Sequence, residues 1–163
     1  MDTLDIYHSD CPICGKHTQH VFTATILYKY NVKYFCCLNC GLLKTEKPYW
    51  LHEAYNEAIA DTDTGILSRN ITNSKQILPL LFYFKSFNDK VLDVSGGYGI
   101  FARLLRDKGI DCYSTDKYCK NLFAKHFEPK AGLDFKTIFL FEVLEHIENP
   151  VSFLKETIGK YHP

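Results

Sequence analysis

The sequence predicts an α/β fold: a mostly parallel sheet preceded by a small four-cysteine ribbon. Three observations predict it. Val91-Leu92-Asp93-Val94-Ser95-Gly96-Gly97-Tyr98-Gly99, followed by Ile100 to Arg106, reads as strand, glycine-rich turn and helix. Two further short apolar runs, Asp111 to Asp116 and Thr137 to Phe141, end in polar residues at matching points. Near the start, Cys11-Pro12-Ile13-Cys14-Gly15 and Cys37-Leu38-Asn39-Cys40-Gly41 form two matched knuckles. The 163 residues suffice for one domain of ordinary size with a small appendage.

Each Cys-x-x-Cys-Gly turn presents two thiolates to one ion, and its glycine lets the backbone bend away. Between the knuckles, Val21 to Leu27 and Lys33 to Cys36 read as two strands about a turn at Tyr30-Asn31-Val32. The pattern is a zinc ribbon with Cys11, Cys14, Cys37 and Cys40 as tetrahedral ligands, on a hairpin longer than usual. A closed four-thiolate site has no open coordination position, so such a zinc holds structure. Cys36 is a bystander, because using it would spoil the symmetry of the second knuckle; His8, His17 and His20 read as surface histidines. Redox thiols would need a βαβ context that this stretch lacks.

From residue 44 to 90 the chain connects ribbon and sheet. Tyr49 to Ala58 has helical spacing, Asp61 to Gly65 interrupts it, and Ile66 to Phe87 resumes it with Pro79 as a break or kink. Asp61 or Asp63 caps a helix here, with Arg69 facing solvent. The divisions expected are therefore a ribbon over 1–47, a helical linker or lid over 48–89, and a sheet domain over 90–163. Within the last, the helix after the glycine turn ends at Gly109, and a second strand carries Asp116. Leu122 to Phe127 is a candidate third strand, Thr137 to Phe141 a fourth, and a final helix runs from Pro150 to Lys160.

The glycine-rich stretch resembles motif I of the class I S-adenosylmethionine-dependent methyltransferases. Asp93, Gly97 and Gly99 match it, and Ser95 stands where the first glycine normally stands. Phe141-Glu142-Val143-Leu144-Glu145-His146 is similar to the segment after the fourth strand of the same superfamily. The resemblance implies a Rossmann-like sheet and S-adenosylmethionine as cofactor. It implies cofactor contacts from Asp93, Ser95, Gly96, Gly97, Gly99, Asp116, Lys117, Phe141 and Glu142, with Asp116 taking the ribose hydroxyls. His146 and Glu145 are the implied base and its partner, and Glu142 with Glu145 and His146 also resembles a segment that some relatives use for a divalent metal. The family's sheet has seven strands in the order 3-2-1-4-5-7-6, and four are legible here. The expectation is a chain truncated after strand four, with an exposed edge through which it self-associates. A dinucleotide oxidoreductase is disfavoured, because the last glycine of its fingerprint is missing.

Nineteen basic and nineteen acidic side chains cancel, which disfavours nucleic acid as a partner. No apolar run is long enough to span a membrane, and the N-terminal residues carry no secretory pattern. Seven cysteines, four of them at metal spacing, suit a reducing compartment, the cytoplasm. The function expected is methyl transfer to a small-molecule acceptor, such as a nucleotide-linked sugar or another cell-surface precursor. The competing readings are a non-catalytic zinc-ribbon module with a degenerate cofactor fold, and a ribosomal RNA methyltransferase.

Overall fold

A computed structural model describes residues 10–50 and 63–163. They form two units, one holding the ribbon (10–50, with 147–153) and one holding the parallel sheet (63–146, with 154–163). The helix expected over Tyr49 to Ala58 and the alternative cap at Asp61 fall mainly on 51–62, outside the described residues. Asp63 is not a cap, because the helix that follows starts from Gly65 with no side-chain capping bond.

The ribbon is an antiparallel sheet of β1 (Gln19–Ile26), β2 (Tyr30–Cys36) and β3 (Leu43–Thr45), in that order. Its hairpin turns earlier than the sequence suggests. Leu27 and Tyr28 adopt φ of 47° and 58°, and the Lys29 N–H donates to the Ile26 carbonyl at 3.1 Å. Asn31, the residue with turn chemistry, instead sits inside β2 and accepts a 2.9 Å hydrogen bond from Thr25 across the ladder. Phe22 stacks on Tyr34 with ring centroids 4.5 Å apart, an aromatic cross-strand pair of the kind that fixes register.

The second unit begins with α1 (Ile66–Tyr83) and continues with β4 (Val91–Val94), α2 (Ile100–Arg106), β5 (Cys112–Thr115), β6 (Thr137–Phe139) and, from Leu154 on, α3 (Pro150–Tyr161). Pro79 does not break α1. Pro79 and Lys75, whose carbonyl loses its partner, both lie on the exposed face, where water serves instead. The sheet order is β5-β4-β6, all parallel, which corresponds to strands 2-1-4 of the family order. Alternation along the strands puts Val91, Cys112 and Phe139 on the face that receives α2. There they pack with Phe101, Ala102 and Leu105 of α2 and Leu81 of α1. Each buried valine, leucine or phenylalanine among them stabilises the fold by about 2 kcal/mol. On the opposite side Phe135 packs edge-on between Tyr113 of β5 and Tyr161 of α3.

Leu122 to Phe127 is not a strand. Asn121 captures the following turn: its Oδ1 accepts from the Ala124 N–H at 2.9 Å, while its Nδ2 donates to the Ala124 carbonyl at 2.7 Å. His126 then takes φ of 74°. A local side-chain bond has outcompeted the ladder for a short apolar run. No helix among the described residues is long and apolar enough to cross a membrane.

Candidate functional site

The four knuckle cysteines converge. The Cys11 and Cys40 sulfurs are 3.5 Å apart, as are those of Cys14 and Cys37, and all four lie within 4.8 Å of one another. A tetrahedral ion with metal–sulfur bonds of about 2.3 Å requires sulfurs about 3.8 Å apart, so the set fits such an ion. The knuckles are built alike. Gly15 and Gly41 adopt φ of 70° and 77° and donate to the Cys11 and Cys37 carbonyls, each at 2.8 Å.

Charge makes the same point. Burial pushes the Cys11 thiol up, but the backbone N–H groups of Cys14 and Ile13, together with the neighbouring Cys40 and Cys14 thiols, more than offset it and bring it to about 7. The Cys40 N–H lowers Cys37 in the same way. The Leu42 N–H favours the Cys40 thiolate too, yet burial and the three neighbouring thiols push it up to about 12. Four thiolates this close cannot all ionise without a cation among them. Cys36, His17 and His20 are not members of the cluster, and His8 lies outside the described residues.

The second set gathers where the parallel strands end. Parallel pairing brings the carboxyl ends of β4, β5 and β6 to one edge of the sheet. Ser95–Gly99, Asp116–Cys119 and Phe141–His146 all leave from that edge, the place where open α/β sheets bind ligands. Ser95 and Gly97 adopt φ of 59° and 57°, and Gly99 turns into α2 at 82°. A glycine suits the first position for this reason, and Ser95 holds a left-handed backbone there with its side chain exposed.

Asp116 ties this turn to the chain after β5. Its Oδ2 accepts from the Gly97 N–H at 3.0 Å, and its Oδ1 accepts from the Tyr118 and Cys119 N–H groups at 2.7 and 2.8 Å. Space opens beside Gly97, where an added Cβ would meet nothing within 4 Å. Lys117 is exposed, with its Nζ 5.2 Å from the Tyr118 ring centre.

Asp93 does not reach that opening. It is only 3% exposed, beside the fully buried Ser114 in the adjacent strand, and the Gly96 Cα sits directly on both side chains. Asp93 Oδ2 and Ser114 Oγ are buried without a hydrogen-bond partner. Burial, with a smaller push from the Asp116 charge, raises the Asp93 carboxyl to about 8. The unfolded carboxyl ionises near 4. Above that pH the unfolded chain releases a proton that the folded chain retains, so native stability falls as pH rises from about 4 to about 8. Asp93→Asn removes this slope and can donate to Ser114. The variant is expected to gain on the native chain by a few kcal/mol between pH 5 and pH 8, read from urea midpoints. An equal difference at both pH values would show that Asp93 is already ionised in the fold.

On the third loop, the Phe141 ring joins the core, 5.0 Å from Phe101 and 6.0 Å from Phe139. Glu142 takes φ of 54° at the surface. Its charge favours the cationic form of Arg69, which chiefly pairs with Asp63 at 2.8 Å. Glu145 and His146 are exposed on a single 3₁₀ turn, Leu144–His146, and the His146 N–H donates to the Val143 carbonyl.

Two residues at this edge escape sequence reading. Ser114 precedes Asp116 by two and so shares its face, but only the strand order shows that it faces Asp93. Asn121 carries a local turn signal, but its contact with Gly99 depends on the fold.

A comparison with curated proteins found no match. A family model described as a methyltransferase domain matches residues 63–159, more than half of the chain. The match spans α1, all three parallel strands and the loops at their carboxyl ends. The chain therefore belongs to the class I S-adenosylmethionine-dependent methyltransferase family.

Proposed function

We propose that the chain transfers a methyl group from S-adenosylmethionine to a small-molecule acceptor, and that a structural zinc ion holds its ribbon. The observation that carries the cofactor reading is the Asp116–Gly97 contact at 3.0 Å beside open space, at the edge where three parallel strands end. The residues present fit the cofactor: a carboxylate for ribose hydroxyls, glycine backbone for close approach, and an acidic residue beneath the turn. S-adenosylmethionine supplies a methyl group already activated on a sulfonium, so the protein's task is alignment and exclusion of water. In this reading Asp116 and Gly97 hold the adenosine end, with Lys117 alongside. Asp93 acts from below, fixing the turn through Gly96. His146 accepts the acceptor's proton at its imidazole, with Glu145 preceding it on the same turn.

The acceptor assignment rests on balanced charge, nineteen basic against nineteen acidic residues, since RNA selects for a basic surface. Ligand thiols that must stay reduced support a reducing compartment, the cytoplasm, as the setting of this reaction. The test supplies methyl-labelled donor with a panel of nucleotide-linked sugars, and separately with ribosomal RNA. Label is expected in the small-molecule fraction, and His146→Ala should slow transfer about 100-fold while cofactor affinity holds. Label in RNA alone would overturn the acceptor assignment, and label in neither would favour a non-catalytic module.

A further inference from the structure

The chain leaving β5 folds back over the glycine turn and is fastened there at several points. The Leu122 and Phe123 N–H groups both donate to the Tyr98 carbonyl, at 2.9 and 3.0 Å. The Phe127 carbonyl accepts from the Ser114 N–H at 2.9 Å, and the Arg106 guanidinium of α2 lies 3.2 Å from the Phe127 ring centre. Asn121 is the knot. Its carboxamide oxygen occupies the place where a Cβ on Gly99 would stand. Its two ends hold Ala124 through both backbone groups, and its Nδ2 also donates to Glu128 Oε1 at 3.0 Å. Residues 117–127 thus form a strap, fastened at one end by Asp116 and in the middle by Asn121 and Tyr98.

We infer that Asn121 is a positioning residue for cofactor binding: it locks the strap onto the left-handed Gly99 turn and so holds Asp116 and the Gly97 amide in register for the ribose. This rests on the cofactor reading above. The reason is geometric. Asp116 is shared between the turn and the strap, through Gly97 on one side and Tyr118 and Cys119 on the other. Loosening the strap from Gly99 therefore leaves the carboxylate free to follow either partner. The Asn121–Glu128 bond adds a dependence on charge, because an aspartate at this position would face a second carboxylate.

The test uses the full, zinc-loaded chain with S-adenosylhomocysteine as probe, and follows amide exchange in parallel. Asn121→Ala, which removes all three Asn121 side-chain hydrogen bonds, is expected to weaken binding at least about tenfold. The amides of Gly97, Leu122 and Phe123 should lose protection together, while those of β4 and β5 keep theirs. Asn121→Asp should also weaken binding. Combining it with Glu128→Gln relieves the facing carboxylates and should recover part of the loss, the rest remaining because a carboxylate oxygen would still face the Ala124 carbonyl. Native affinity in Asn121→Ala, or loss with no recovery in the double variant, would overturn the inference. If the native chain fails to bind the probe while Asn121→Ala still loosens the three amides together, the cofactor reading fails and the lock stands. If those amides are unchanged as well, both fail.

Discussion

Cys37→Ser is expected to abolish zinc retention and unfold the ribbon. The native chain should hold one equivalent through a chelating step, and the variant none. Structural zinc in small four-ligand sites binds with an apparent free energy of about 10–16 kcal/mol, and that free energy is also folding free energy. Among the described residues the ribbon has few other resources: three strands, with Val32, Phe35 and Trp50 as large buried side chains. Amide protection should vanish across β1 to β3. Cys36→Ser is the control, since Cys36 adjoins the cluster in sequence but is not one of the four converging thiols. Zinc lost equally from both variants would contradict the ligand set.

Gly96→Ala is expected to be the most damaging small substitution in the parallel-sheet unit. A Cβ there would overlap Asp93 Oδ2 and Ser114 Oγ, two atoms that cannot retreat because they are buried in neighbouring strands. Overpacking of this kind costs about 3 kcal/mol, a fall in Tm of roughly 10 °C for a chain of this size. Cofactor affinity should fall with it. Gly97→Ala is the informative contrast. Nothing stands within 4 Å of its Cβ, so only the φ of 57° penalises alanine, at about 1 kcal/mol. Equal losses in thermal melts would mean that backbone strain, and not contact with Asp93, governs the turn.

The parts of this fold legible in the sequence were those where local chemistry and global topology agree. Asp93 to Gly99 announces strand, turn and helix because each position meets a local requirement, including glycine at the φ of 82° that opens α2. The knuckles were legible because two thiols and a glycine at fixed spacing admit few geometries. Where an apolar run was short, competing bonds decided the outcome. Leu122 to Phe127 reads as a strand, but Asn121 binds Ala124 locally and the Tyr98 carbonyl takes two of its N–H groups. The hairpin misled for the opposite reason. Leu27 and Tyr28, bulky residues that disfavour positive φ, were forced into it by the register that pairs Ile26 with Tyr30. Asp93 was legible as an acidic residue at a strand end, but its burial under Gly96 was not, because that depends on Ser114 lying in the adjacent strand.

The most direct measurement is calorimetric titration of the zinc-loaded chain with S-adenosylmethionine and S-adenosylhomocysteine, beside Asp116→Ala. Micromolar binding of both ligands is expected in the native chain, with a loss of at least about tenfold in the variant, whose ribose hydroxyls would lack a carboxylate. Absence of binding in a folded native chain, or equal affinity in Asp116→Ala, would contradict the account of this edge as the cofactor site.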